Sequence, residues 1–132
     1  MRPDEYASRT VRPIGVVRND VEGPERPDWT GVVSDLVIDA RWTEALDGIE
    51  HLEKLAVLWW FARREGDEVP TKVHPKGDPN NALTGLFSTR APIRPNLIAL
   101  TTVVVLGRDE NVIQVQGLDA FNGSPIIDLK PA

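Results

Sequence analysis

Along residues 33–41, Leu36, Ile38 and Ala40 fall on one side of an extended chain and Asp35, Asp39 and Arg41 on the other, a period of two that predicts a half-buried β-strand. Only Val37 breaks the polar side. "KLAVLWWFARR" is apolar on both alternating faces from Leu55 to Ala62, which fits a strand buried on both sides or the continuation of a helix. Its shortness and its two Trp and one Phe favour the strand. "TVRPIGVVRN" predicts a short strand in which Gly15 permits a bulge or a close backbone approach. "LTGLFST", "LIALTTVVVLG", "NVIQVQGL" and "PIIDL" complete the set, each with a turn cluster before it and "GRDEN" as a hairpin loop. Thr43 followed by "EALDGIEHL" predicts a helix, with Thr43 as N-cap and Leu46, Ile49 and Leu52 on one face, although Gly48 weakens it.

Many short strands with few helices predict a mainly β chain: a small Greek-key-like β-barrel with one or two short helices, whose closure removes exposed edges. A dinucleotide-binding doubly wound sheet is excluded, because no G-x-G-x-x-G follows the first strand. The length of 132 residues suits one core. The expectation is a flexible arm over 1–10 and a single domain over 11–132. "DVEGPERPDWTG" reads as a long loop broken by Gly23, Pro24 and Pro27 and anchored by Trp29, and "VPTKVHPKGDPNNA" as a second.

Composition narrows the function classes. No apolar run approaches the ~20 residues of a membrane helix, and the N-terminus is polar where a signal peptide needs an apolar core, so a cytoplasmic protein with no membrane partner is expected. With no cysteine, and with His51 and His74 far apart, no metal site is expected. The net charge of -5 repels phosphate backbones at long range, but local clusters of Arg and Lys can override this.

Two stretches carry chemistry. In "STRAPIRPN", Pro92 and Pro95 stiffen the loop before any ligand arrives. Arg90 and Arg94 offer planar forks to a carboxylate or phosphate, and Asn96 both donates and accepts. The same residues also suit a surface turn whose arginines pair with neighbouring acids. In "GLDAFNGSPIIDLKP", Asp119, Asp128 and Lys130 offer two carboxylates and an amine, as electrostatic partners or a general base, or as turn caps bonded to backbone N–H groups. The run Trp59-Trp60-Phe61 reads as core rather than a stacking platform.

Taken in order, "PIGVVRN" at 13–19, "ALDGIEHLEKLAVLWWF" at 45–61, "GLFSTRAPIRPNLIAL" at 85–100 and "GLDAFNGSPIIDLKP" at 117–131 resemble the TsaA-like family, also called TrmO-like or YaeB-like, over almost the whole chain. The resemblance implies an S-adenosylmethionine-dependent methyltransferase on a small β-barrel, working as a homodimer with the cofactor near the subunit interface. Members of known activity methylate the exocyclic nitrogen of threonylcarbamoyladenosine in certain tRNAs. By this resemblance Thr89, Arg90, Arg94, Pro95, Asn96, Leu118 and Asp119 are cofactor-binding residues, and Asp128 and Lys130 are the candidate catalytic pair. The implied partners are S-adenosylmethionine and either tRNA or a small-molecule methyl acceptor. The alternative is a non-catalytic binding module that keeps the barrel, with or without the pocket. Ala91, Leu97 and Ala99 stand where the family has Ser, Pro and Gly, Ala132 stands where it has Tyr, and its closing His in the apolar segment is absent. Ala99 is expected to narrow the backbone approach to a ligand. The chain is also expected to lack the C-terminal domain that some bacterial members carry and that is associated with tRNA handling.

Overall fold

The computed structural model describes Arg2 and residues 6–132. Of the arm expected over 1–10, residues 1 and 3–5 lie outside the described residues.

Six strands close into an antiparallel barrel: β1 (Gly15–Arg18), β2 (Val33–Ile38), β3 (Lys54–Trp60), β6 (Ile98–Asp109), β7 (Val112–Gln116) and β8 (Pro125–Pro131), in the order β1-β2-β7-β6-β3-β8. A separate ribbon pairs β4 (Lys72–Val73) with β5 (Thr84–Gly85). The alternation read from the sequence sets which side chains enter the barrel. Leu36 and Ile38 of β2, Leu55, Val57 and Trp59 of β3, and Ile113 and Val115 of β7 are all buried. Full burial of an aliphatic side chain contributes roughly 1.5–3 kcal/mol, so a one-residue slip in any of these strands would forfeit several such terms at once. Gly15 is required by close approach: a Cβ there would lie 2.9 Å from the Ile38 Cα and would collide with the Val37 carbonyl oxygen across the β1–β2 pair.

The long strand β6 serves two neighbours. Its first half pairs with β3, from Ile98↔Trp60 to Val104↔Lys54, and its second half with β7, from Val104↔Gln116 to Asp109↔Val112. The register shifts between Val105 and Gly107. Such a bulge bends the strand and helps the sheet close. The turn between β6 and β7 is shorter than "GRDEN", just Glu110 and Asn111, with Glu110 at φ 53.

The helix expected from Thr43 does not form. In its place stand two 3-10 segments, Ala40–Leu46 and Ile49–His51, and no α-helix occurs among the described residues. The break falls at Gly48, φ 91, and the first segment is capped by Asp39, whose side chain accepts from the Arg41 N–H, rather than by Thr43. A left-handed residue ends a helix. Leu46, Ile49 and Leu52 still pack on the core, because short 3-10 pieces can present the same apolar residues to it. "LTGLFST" is likewise strand only at Thr84–Gly85, and Leu86–Ser88 is a 3-10 turn. Arg108 ties β6 to the Ile49–His51 turn through Glu50 at 2.9 Å, and this hydrogen bond holds the Glu50 carboxyl down at about 2. No helix is long and apolar enough to cross a membrane among the described residues.

Candidate functional site

At the end of the barrel where β3 finishes and β6 begins, two clefts of about 300 and 290 Å3 adjoin, sharing Trp59, Phe61, Arg90 and Asp119 in their walls. Three elements build them. The first is the apolar segment that ends β3. The second is the loop after Leu86–Ser88, which is tied internally. Thr89 Oγ1 donates to the Leu86 carbonyl at 2.8 Å and accepts from the Ala91 N–H at 3.2 Å, while Arg94 Nη1 donates to the carbonyls of Thr89 and Ala91 at 2.9 and 3.1 Å. The third is the irregular segment 117–124 between β7 and β8, in which Leu118 and Ala120 point into the core and Asp119 is exposed.

Backbone bonds tie the ends of that third segment, from the Gly117 N–H to the Val32 carbonyl at 3.0 Å and from the Asn122 and Gly123 N–H groups to the Val21 and Val17 carbonyls at 2.8 Å, and side chains hold the part between. Asn19, just past β1, donates from Nδ2 to the Ala120 carbonyl and to Ser34 Oγ, both at 2.9 Å, and its backbone N–H donates to Asn122 Oδ1 at 3.1 Å. Ser34, almost fully buried, thereby has a partner for its hydroxyl, as a buried polar group requires. Gly117 at φ 94 turns the chain out of β7, a conformation costly for any side-chain-bearing residue.

Charge and aromatic surface converge on the larger cleft. Arg26, Arg63, Arg64 and Arg90 line it together with Trp29, Trp59, Phe61 and Phe121. The Arg63 guanidinium lies 4.0 Å over the Phe121 ring, and Trp29 meets the same ring edge-on at 5.4 Å. The loop anchored by Trp29 is thus one wall of the site. Arg90 commits Nη1 to the Leu100 carbonyl at 3.0 Å and presents the rest of its fork to both clefts. Such an arrangement can take a ligand with a flat ring, an anionic group and a hydrogen-bond donor in reach of Asp119.

Of the residues singled out from the sequence, Thr89, Arg90, Arg94 and Asp119 meet in the smaller cleft. Arg94 does so with its Nη1 turned back on its own loop. Pro95 and Asn96 are exposed at the loop's far end and line neither cleft, and Leu118 is a core residue beneath Asp119. Ala99 sits opposite Trp59 in the β3–β6 register and is buried in the wall of the smaller cleft. Asp128 and Lys130 are elsewhere. They pair with each other at 2.9 Å on the rim of a separate cavity of about 480 Å3, lined largely by apolar residues including Ile14, Ile38, Leu46, Leu55 and Leu129. Sequence reasoning missed Trp59, Phe61, Thr101 and Phe121 as cleft residues. The signal available was chemical: a buried Trp needs a partner for its N–H, and Trp59 Nε1 donates to Thr101 Oγ1 at 3.1 Å.

Residues 17–132 match the family model described as the tRNA-methyltransferase O N-terminal domain. The chain belongs to this family. Its relatives include a probable S-adenosyl-L-methionine-binding protein of Methanocaldococcus jannaschii, 38% identical over 122 residues that cover 91% of this chain and 89% of the relative. An S-adenosyl-L-methionine-binding protein of Archaeoglobus fulgidus is 35% identical over 124 residues, covering 91% and 86%. The crystal structure of TrmO from Pseudomonas aeruginosa superposes with a TM-score of 0.72 at 25% identity, covering 96% of this chain and 56% of that one. The chain therefore spans little more than half of the solved protein.

Proposed function

We propose that the chain is an S-adenosylmethionine-dependent methyltransferase, and that its cofactor lies in the two adjoining clefts. The observation that carries this reading is the convergence of Arg90 and Asp119 with the aromatic walls of Trp59, Phe61 and Phe121 on one end of the barrel. The fit is chemical: Arg90 offers donors to a carboxylate, the aromatic rings offer surface to an adenine, and Asp119 offers an acceptor for hydroxyl or ammonium donors. The cofactor supplies an activated methyl group on a sulfonium. What the protein must add is alignment of an acceptor with that methyl, and positioning alone can furnish effective molarities of ~10⁵ M or more.

The acceptor we favour is RNA, threonylcarbamoyladenosine in tRNA being the case implied by the family, with a small amine, amide or hydroxyl compound as the competing class. Arg26, Arg63, Arg64 and Arg90 form a basic rim in a chain of net charge -5, which is where phosphates would be drawn. The cofactor site lies at a subunit interface in this reading, because β6 presents Ile98, Leu100, Val104 and Leu106 at 41–48% exposure, at alternate outward positions interrupted only by Thr102. Ile98 and Leu100 also line the smaller cleft. A second copy of this chain is the partner proposed for that stripe. Leu100→Lys is expected to convert a dimer to a monomer by light scattering; a wild-type monomer would remove the interface.

A second reading, a binding module without turnover, is favoured by one observation. Asp128 and Lys130, the candidate catalytic pair, are bonded to each other beside a different cavity. The deciding experiment is transfer of a labelled methyl group from S-adenosylmethionine to bulk tRNA, and separately to small amines. Labelled RNA, with RNA binding that weakens steeply as salt rises, supports the enzyme acting on tRNA. Cofactor binding with no labelled product in either pool supports the module.

A further inference from the structure

We infer that Trp59 and Thr101 are positioning residues for Asp119: a one-way hydrogen-bond chain across the wall between the clefts presets that carboxylate as the acceptor for a hydroxyl or ammonium group of the bound ligand. The direction of the chain follows from the inventory of each side chain. Trp59 Nε1 can only donate, and it reaches Thr101 Oγ1 at 3.1 Å. Thr101 Oγ1 has one hydrogen, and with the indole N–H directed at its lone pair it donates that hydrogen to Asp119 Oδ1 at 2.6 Å. Ionised carboxylates only accept, so the chain ends there, and the short distance is that of a charge-assisted bond.

Its setting gives the chain a use. Trp59 is buried to 4% exposure, pinned by an edge-on contact with Phe61 at 4.6 Å and paired in register with Ala99, so its N–H has one direction to point. Asp119, by contrast, stands on the irregular segment 117–124, exposed and in the shared wall of the two clefts. A carboxylate on such a segment would sample many rotamers, and each would have to be lost on binding. With Oδ1 held by a hydroxyl that is itself held by the core, that cost is met in folding, and Oδ2 is left for a ligand donor. The sequence separations, 42 residues from Trp59 to Thr101 and 18 from Thr101 to Asp119, make this a contact that only the closed barrel brings about.

The inference rests on the cofactor reading above, in which the donor is a ribose hydroxyl or the amino-acid ammonium of the cofactor. The test is a double-mutant cycle read by calorimetric affinity for S-adenosylhomocysteine. Thr101→Val, close to isosteric, is expected to weaken binding about tenfold in the wild-type background, as loss of an aligned charged acceptor would. In the Asp119→Ala background the same substitution is expected to change affinity by less than about twofold, since the two residues act as a unit. Thr101→Ser, which keeps the hydroxyl, restores affinity. Trp59→Phe, which keeps an aromatic ring and removes the N–H, gives a smaller loss that also vanishes beside Asp119→Ala. Repeating the cycle with 5′-methylthioadenosine separates the donors: coupling that persists assigns the ribose, and coupling seen only with S-adenosylhomocysteine assigns the ammonium. An equal loss from Thr101→Val in both backgrounds, or no loss in either, overturns the inference while leaving the cofactor reading intact. A folded wild-type protein that binds neither compound overturns both.

Discussion

The two ends of β3 make an instructive pair. Where β3 begins, Leu55 contributes to an apolar cavity whose rim carries Asp128 and Lys130, and these neutralise each other at 2.9 Å. Where it finishes, Trp59 and Phe61 line two clefts, and the two charged groups common to both, Arg90 and Asp119, are each fastened through one atom with the remainder to spare. Both ends have cavities of ligand size. The difference is that a group held by part of its bonding capacity is oriented and still available, whereas a surface ion pair spends its charges on each other for roughly 0–1 kcal/mol.

That contrast can be broken by substitution. The largest effect is expected at Asp119: replacement by alanine should lower S-adenosylmethionine affinity about thirtyfold or more, as loss of hydrogen bonds to a charged group would. Asp128→Ala should leave that affinity within about twofold, because its partner is an exposed lysine and not the ligand. Equal losses in the two variants would erase the distinction between the ends. Asp128→Asn remains the test of a catalytic role, and in that role it lowers turnover while sparing cofactor binding.

Next in size is Arg94→Ala. Its guanidinium closes the loop on the carbonyls of Thr89 and Ala91, so its removal should cost about tenfold in affinity through loss of loop order, with faster proteolytic cleavage between 87 and 97 as the accompanying sign. Lost affinity with unchanged cleavage would instead mean that Arg94 touches the ligand directly.

Much of this was legible in advance, and the misses share a cause. Alternation in β2 and the apolar run of β3 are local patterns, and they placed Leu36, Ile38, Leu55, Val57 and Trp59 in the core. Ala40, however, is exposed, and Ala56, Leu58, Trp60 and Phe61 are only half-buried, so β3 is buried on one face and not on both. The stiff loop around Pro92 was legible for the same reason: its prolines and arginines are neighbours in sequence. The helix at Thr43 was misread because Leu46, Ile49 and Leu52 satisfy a helical period that two 3-10 pieces also satisfy, and the left-handed Gly48 decided between them. The role of Trp59 was hidden because burial and cleft lining are not exclusive. Its indole belongs to the core while its N–H is engaged by a residue 42 positions away. Asn19, which holds the segment carrying Asp119 from about 100 residues off, left no local trace either.

The smallest predicted effect sharpens the contrast from outside both ends. Glu50 is held at about 2 by its hydrogen bond to Arg108, below its ordinary value of 4.5. A depressed folded-state value means that the stabilisation is present above pH 4.5 and lost as pH falls toward 2. Glu50→Gln should therefore flatten the fall of the melting temperature across that window and leave cofactor affinity at neutral pH unchanged.

The central claim, that the clefts around Asp119 hold the cofactor, is tested most directly by calorimetric titration of S-adenosylmethionine into the wild-type protein, Asp119→Ala and Asp128→Ala side by side. The account predicts micromolar binding to the wild type, the same to Asp128→Ala, and a large loss in Asp119→Ala. Heat that survives the loss of Asp119 and disappears with Asp128 would place the ligand at the other end of the barrel and contradict it.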